Sequence, residues 1–242
     1  MHTTTPTDSQ PRPATTKQHS SDRAETCLRL HAVEVDGPRG RVFGPITAAT
    51  GQPVTVVQGA AGSGRTSLLL TIAGRMRASH GAVEVLGETR TGAIRNKTGI
   101  AGFAGIDDLE PAVTLAAALR ERLSWELPWW RRTPRITEEV ARELFDPAFG
   151  AQEDENRVVR PGISLLCREL TPADDLLTRI ALALIARPEL LVVDDLDAVR
   201  EPRDRKRVAA RLREIANQTP VVIATSDPRD AALFDEPAII NL

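Results

Sequence analysis

One glycine-rich stretch constrains the fold of this chain more than any other feature. Its sequence is Gly59-Ala60-Ala61-Gly62-Ser63-Gly64-Arg65-Thr66-Ser67. An apolar run rich in β-branched residues precedes it at residues 53–58, and a helical pattern follows at residues 67–74. Strand, glycine-rich turn and helix form the context of a phosphate-binding loop, whose backbone N–H groups and helix N-terminus attract anions. We therefore predict that this loop binds phosphate groups and that the Thr66 hydroxyl is a ligand of Mg²⁺.

Arg65 departs from the usual pattern of these loops, G-x-x-x-x-G-K-[ST], which has lysine at this position. Arginine keeps the positive charge, but its guanidinium is wider and forked, so the replacement is not conservative at a tight phosphate site. A glycine-rich turn that binds nothing is the alternative interpretation. The preceding strand, the spacing, Thr66 and the following helix favour a nucleotide site. Hydrolysis is a separate inference with less support in the sequence.

The composition is typical of a soluble globular protein, with 41% hydrophobic and 26% charged residues. A net charge of −2 gives no reason to expect a nucleic-acid partner. Cys27 and Cys167 fit neither a metal site nor a disulfide framework, which suits the cytosol. No apolar run approaches the ~20 residues of a membrane span, so a role at a membrane would require a partner. Residues 1–24, rich in Thr, Pro, Ser and Gln, are expected to form a disordered tail.

Apolar runs and helical patterns alternate along the rest of the chain. Strands are predicted at residues 27–35, 41–46, 53–58, 81–87, 100–104, 190–194, 220–225 and 238–240. Helices are predicted at residues 67–74, 113–123, 138–145, 173–186 and 202–217, and an acidic surface loop at residues 152–156. This alternation predicts an α/β fold with a mostly parallel sheet covered by helices on both faces.

Two acids, Asp194 and Asp195, follow the apolar run at residues 190–193. Ligands of parallel sheets bind at the carboxyl ends of the strands, which is where these acids are expected. Many strands simply end in an acid, but a phosphate loop upstream favours a functional role. In phosphate-loop proteins the first acid holds Mg²⁺ through the water shell of the ion, and the second orients an attacking water. We therefore predict Asp194 as a metal ligand and Asp195 as a catalytic residue.

At four further places the sequence resembles the ABC transporter nucleotide-binding domain. Leu170-Thr171-Pro172-Ala173-Asp174 stands where that family has L-S-G-G-Q, and the following helix and acid-ended strand have the family's spacing. Residues 81–87 resemble its S-G-x-v-x-v-x-G strand, and residues 110–115 resemble the x-P-x-l-T-v start of its helical lobe. Residues 222–227 resemble its strand that ends in T-H-D. The resemblance covers residues 28–242, nearly everything but the tail.

The resemblance implies a P-loop NTPase core with an N-terminal antiparallel β layer and an inserted α-helical subdomain at about residues 111–175, within one domain at residues 25–242. It also implies ATP and Mg²⁺ as cofactors, a homo- or heterodimer of cassettes, a transmembrane permease partner and a peripheral place at the cytoplasmic face of a membrane. Thr171 and Ala173 would face the nucleotide of the opposite subunit. Ser226 stands where the family has its catalytic switch histidine. A DNA-handling relative is not expected, because a long coiled-coil insert and a basic excess are both absent.

Several motifs depart from the family's pattern at its catalytic and binding positions. The glutamine that links metal and partner falls near Gly105, the signature stretch loses both glycines, and Asp195 is one methylene shorter than glutamate. The chain has no tyrosine to stack on adenine; Phe43 or His31 could replace it, although core or surface is expected for each. These degenerate motifs predict an ATPase with slow hydrolysis. The alternative is a non-catalytic nucleotide-binding subunit, regulatory or scaffolding, paired with a competent cassette.

All three tryptophans of the chain, Trp125, Trp129 and Trp130, lie close together beside Arg131 and Arg132. One interpretation places them in the core of the helical lobe. The other makes them a docking surface, since Trp and Arg are enriched at interface hot spots and the family's lobe faces the transmembrane subunit. The sequence leaves both interpretations open.

Overall fold

A computed structural model describes residues 26–151 and 157–242. The predicted tail at residues 1–24 and the predicted acidic loop at residues 152–156 lie outside the described residues. The strands are β1 (Leu28–Gly37), β2 (Gly40–Thr50), β3 (Val54–Gln58), β4 (His80–Val85), β5 (Thr98–Ala101), β6 (Leu190–Val193), β7 (Val221–Thr225) and β8 (Ala238–Asn241). The helices are α1 (Arg65–Ile72), α2 (Thr91–Lys97), α3 (Leu115–Glu126), α4 (Glu138–Phe149), α5 (Pro172–Leu184) and α6 (Pro202–Ala216).

Five strands form a parallel sheet in the order β5-β6-β7-β3-β8. Every residue of β6 and β7 is buried, as expected for strands that are covered on both faces. The register pairs Gln58 with Thr225 and Ala101 with Val193, so the carboxyl ends of four strands meet along one edge. The predicted α/β fold is confirmed, and two of the predicted site residues, Thr66 and Asp194, meet at this edge.

The three N-terminal strands form a separate antiparallel sheet in the order β2-β1-β4. Strand β2 continues through Gly44 and Pro45 to Thr50, further than the sequence predicted. Proline is tolerated there because β2 lies at the edge of its sheet, where a missing N–H breaks no ladder. The buried face of this layer packs with α1 and β3 in one apolar cluster that includes Leu28, Leu68 and Val57. The predicted N-terminal antiparallel layer is thereby confirmed.

Between β5 and β6 the chain forms α3, α4 and α5, which make up the helical lobe. Threonine N-caps the first turn of each: Thr114, Thr137 and Thr171 accept a backbone hydrogen bond from the residue three positions later. The helix α2 was not predicted. It has only seven residues and buries only Ile94, so it shows too little apolar periodicity to be recognised.

Candidate nucleotide site

The glycine-rich loop connects β3 to α1, as predicted. Gly62 and Gly64 have φ angles of +84° and +94°, a conformation that favours glycine. A Cβ on Gly64 would also lie 2.7 Å from the carbonyl oxygen of Val42, so the loop packs closely against β2. Gly64 is the N-cap of α1 and has no side chain to occupy the first N–H groups of the helix. These N–H groups are the donors that an anion requires.

Ser63 gives a second indication that the loop fits a phosphate. Its Oγ is buried and has no hydrogen-bond partner within the described residues. A Cβ on Gly59 would overlap that oxygen, so the first glycine of the loop makes room for it. Buried hydroxyls are almost always hydrogen-bonded, and an incoming phosphate oxygen would supply the missing partner.

Thr66 and Asp194 meet at the carboxyl edge of the sheet. The Thr66 hydroxyl donates to Asp194 Oδ2 at 2.6 Å, and the other oxygen of Asp194 accepts from the N–H of Asp195 at 2.9 Å. The backbone N–H of Asp194 donates to Ala101, which fixes the residue between β5 and β6. A hydroxyl and a carboxylate are hard oxygen ligands of the type that Mg²⁺ binds beside phosphates. The described part of the chain contains no group of three or more His, Cys, Asp or Glu that could hold a metal ion.

Asp195 adopts φ +59° and ψ +36°, the left-handed region that aspartate tolerates better than most residues. Burial raises the pKa of its carboxyl, and the negative charges of Asp194 and Asp197 raise it further. A carboxylate with a raised pKa is a stronger proton acceptor, which suits the predicted role in orienting and deprotonating a water. The catalytic role remains a prediction.

The Arg65 side chain is paired with a residue that the sequence did not single out. Its Nη1 lies 2.9 Å from Asp197 Oδ2, and the Arg65 side chain is only 15% exposed. Asp197 lies on a 3-10 turn, Leu196–Ala198, that follows the two acids. Its only sequence signal was a third aspartate after the apolar strand.

Asp197 also connects to β7. Its Oδ1 accepts from the backbone N–H of Ser226 at 3.0 Å and lies 3.1 Å from the Thr225 hydroxyl. Burial alone would raise the pKa of Asp197, but the N–H of Ser226 and the guanidinium of Arg65 hold that pKa below its usual value. Ser226, predicted at the position of the switch histidine, thus lies beside Arg65 and contributes its backbone to this contact.

Thr171 and Ala173 lie at the start of α5, on a different helix from the one that follows the phosphate loop. The Thr171 hydroxyl donates to Asp174 Oδ2 at 2.7 Å and accepts from the Asp174 N–H at 3.1 Å. Ala173 is 8% exposed and packs in the core of its own chain. The predicted contact of these two residues with a neighbouring subunit's nucleotide stays a prediction, and it would require Thr171 to exchange its bond with Asp174.

The two possible substitutes for the adenine-stacking tyrosine differ in exposure. Phe43 is 4% exposed and belongs to the apolar cluster behind the phosphate loop, so its ring is not available to a base. His31 lies exposed on β1. The sequence favoured a core position for Phe43 and a surface position for His31, and both residues lie there.

A cavity of about 560 Å³ lies between the helical lobe and the sheet. The loop after β5 forms one wall, where Asp107 accepts from the N–H groups of Gly102 and Phe103. Gly105, the position predicted to lack the family's glutamine, lies in this loop with φ +76°. Arg179 of α5 closes the wall through a 2.6 Å ion pair with Asp107.

The three tryptophans are on the surface. Trp125 lies in the last turn of α3 at the rim of the cavity and is 69% exposed, while Trp129 and Trp130 are 92% and 70% exposed. Trp129 and Trp130 lie on a turn that is closed by a 2.8 Å bond from the Arg131 N–H to Pro128. The interpretation of these residues as a core is wrong, because all three side chains are more than two-thirds exposed.

No helix of residues 26–151 and 157–242 is both long and apolar enough to cross a membrane. No family model matches the sequence, and no curated protein matches it.

Solved structures of ATP-binding cassettes resemble this fold closely. The dimeric bacterial ABC transporter cassette MJ0796 has a TM-score of 0.66 and 16% identity, covering 88% of this chain and 94% of that one. The ADP conformation of MJ1267, an ATP-binding cassette of an ABC transporter, has a TM-score of 0.68 and 14% identity, with 89% and 87% covered. The cassette cbiO1 from Clostridium perfringens, part of the ABC transporter complex cbiONQ, has a TM-score of 0.65 and 17% identity, with 89% and 85% covered. The chain therefore has the fold of an ABC transporter ATP-binding cassette.

Proposed function

We propose that this chain, with its ATP-binding cassette fold, is the ATP-binding subunit of an ABC-type membrane transport or export complex. The observation that carries the proposal is the Thr66–Asp194 contact of 2.6 Å directly behind an open phosphate loop. The unpartnered Ser63 hydroxyl and the uncapped start of α1 support it, because both present donors to an anion.

Each residue of the site has a separate part in binding. The loop from Gly59 to Gly64 cradles phosphate oxygens with its backbone N–H groups. Thr66 and Asp194 would hold the Mg²⁺ that accompanies the nucleotide, which would supply neutralisation of phosphate charge. Asp195 orients a water and accepts its proton, which its raised pKa favours.

We propose that hydrolysis is slow. The Arg65 guanidinium is engaged by Asp197, so the cation of the loop must leave that pair before it can serve a phosphate. Ser226 lacks an ionisable side chain, and the shorter Asp195 reaches less far toward a water. Loss of such groups costs orders of magnitude in phosphoryl transfer. The Arg65–Asp197 pair also favours the alternative, a subunit that binds nucleotide without turnover beside a competent cassette.

The partner that we propose is a transmembrane permease, docked at the cytoplasmic face of a membrane. The exposed Ile106 and Trp125 line the cavity beside the helical lobe together with arginines, and Trp129 and Trp130 are exposed on the turn after α3; these apolar side chains are the proposed anchors. Arg122 lies with its guanidinium carbon 5.7 Å from the centre of the Trp125 ring, which holds this ring at the rim. A cassette dimer, through the start of α5, is the second proposed contact.

The experiment that tests the function is a titration of the full chain with ATP, with and without Mg²⁺, beside a phosphate-release assay. Thr66→Ala should weaken Mg²⁺-dependent ATP binding by about ten- to hundredfold, since a hydrogen bond to a charged group is worth ~1.5–3 kcal/mol. Thr89→Ala removes an exposed threonine hydroxyl elsewhere and should leave binding unchanged. Absence of nucleotide binding at millimolar concentration would overturn the proposal.

A further inference from the structure

Three donors converge on the carboxylate of Asp197. They are the guanidinium of Arg65 at 2.9 Å, the backbone N–H of Ser226 at 3.0 Å and the hydroxyl of Thr225 at 3.1 Å. The hydroxyl of Thr225 is also near Asp230, so its single proton is shared between two acceptors. A cation, a backbone N–H and a hydroxyl around one anion are the ingredients of an oxyanion site, and here the anion belongs to the protein.

These donors lie next to the phosphate loop. Gln58 of β3 pairs with Thr225 of β7. Ser226, the residue after β7, therefore lies beside Gly59, the first residue of the loop. Arg65 occupies the loop position from which a lysine reaches the second and third phosphates of a nucleotide. The Asp197 carboxylate therefore binds the side chain that would otherwise meet the terminal phosphate.

We propose that Asp197 occupies the subsite of the terminal phosphate, so that the site takes a nucleoside diphosphate in preference to a triphosphate. The proposal rests on the nucleotide-binding function given above and specifies its ligand. The Ser63 hydroxyl, which has no partner among the described residues, and the first N–H groups of α1, which no side chain caps, can bind the first two phosphates. A third phosphate meets a carboxylate of the same charge and must displace it from Arg65 and Ser226 before it can bind.

Calorimetric titrations of the full chain with Mg-ADP and Mg-ATP test the proposal. The wild type should bind ADP at least about tenfold more tightly than ATP, because placing like charges side by side costs several kcal/mol. Asp197→Asn keeps the size of the side chain and removes its charge, so it should tighten ATP binding by about tenfold and change ADP binding by less than about threefold. Asp235→Asn is the matched control: it removes an equal charge from an exposed ion pair with Arg213 and should change neither affinity.

Equal affinities of the wild type for ADP and ATP would overturn the inference and leave nucleotide binding intact. An equal shift of both affinities in Asp197→Asn would also overturn it. Absence of binding of either nucleotide to the wild type would overturn the proposed function together with the inference. The wild-type comparison needs no variant, so it decides the question even if Asp197→Asn does not fold.

Discussion

Arg179 ties the helical lobe to the sheet, and its replacement tests whether this link stabilises the site. Its Nη2 and Nε lie 2.6 Å and 3.2 Å from the two oxygens of Asp107, and its Nη1 lies 3.3 Å from Asp175. The Arg179 side chain is 10% exposed and that of Asp107 is 19% exposed. Asp107 in turn caps the loop after β5, so the single guanidinium joins α5 to the exit of an edge strand.

Replacing Arg179 with glutamine should cost about 3 kcal/mol of unfolding free energy. Removal of one partner from a buried ion pair typically costs ~3–5 kcal/mol. The low end applies because Asp107 keeps its bonds from the N–H groups of Gly102 and Phe103. For a chain of this size, each kcal/mol lowers Tm by ~2–4 °C, so the expected fall is about 6–12 °C.

The loss should depend on pH. Burial raises the pKa of Asp175, and Arg179 opposes that rise. Without Arg179 the folded-state pKa of Asp175 rises further above its unfolded value, so the folded chain binds a proton that the unfolded chain does not. The stability of Arg179→Gln relative to the wild type is therefore lowest at neutral pH and recovers as pH falls toward ~3.9.

Urea unfolding at pH 7 and at pH 5, followed by circular dichroism, measures both effects. Arg213→Gln is the matched control, because its ion pair with Asp235 spans 3.4 Å and both side chains are at least 40% exposed. Exposed pairs contribute ~0–1 kcal/mol, so this variant should unfold almost as the wild type does. If Arg179→Gln costs no more than Arg213→Gln at neutral pH, the link between lobe and sheet is not stabilising.

Two further predictions concern Asp195 and the exposed tryptophans. Asp195→Asn should abolish residual phosphate release. It should also raise Tm at neutral pH, because asparagine suits the left-handed φ and the change removes one of three neighbouring carboxylates. This gain in Tm should vanish as pH falls to ~4, where the wild-type carboxyl is protonated. An unchanged rate would show that Asp195 is not catalytic. Trp129→Ala and Trp130→Ala should each leave Tm nearly unchanged but weaken binding to the proposed permease partner, measured by co-purification, by about thirtyfold, the effect of losing an anchor worth ~2 kcal/mol. A large fall in Tm with docking retained would contradict the docking surface.

Most of the parallel sheet was predictable from sequence because its strands are apolar on both faces. The runs at residues 190–194 and 220–225 needed no tertiary information to be recognised as buried strands. The phosphate loop was equally clear, since its glycines and its flanking elements are close together in sequence. The short helix α2 was missed because its interior buries one side chain.

Features that depend on contacts between residues far apart in the sequence could not be predicted from the sequence alone. The partner of Arg65 is 132 positions away, and nothing in the local pattern around Asp197 distinguishes it from an ordinary turn residue. The tryptophans were ambiguous for a related reason: large aromatic residues are typical both of cores and of interfaces, and only the exposure of their side chains separates the two. Local patterns thus indicated the candidate site, while the charge balance among its residues required the fold.

The register of β3 has a consequence for the order in which the molecule assembles. Both neighbours of β3 in the sheet, β7 and β8, come from residues 221–241, while β3 itself begins at Val54. A ribosome adding ~5–20 residues per second needs about 10–30 s to make the intervening chain, and long-range pairings of this kind slow folding further. During that interval the strand that carries the phosphate loop has neither of its hydrogen-bonded neighbours. The proposed nucleotide site is therefore complete only after β7 and β8 have been made, and a truncation before β7 would leave β3 as an unpaired apolar strand open to aggregation.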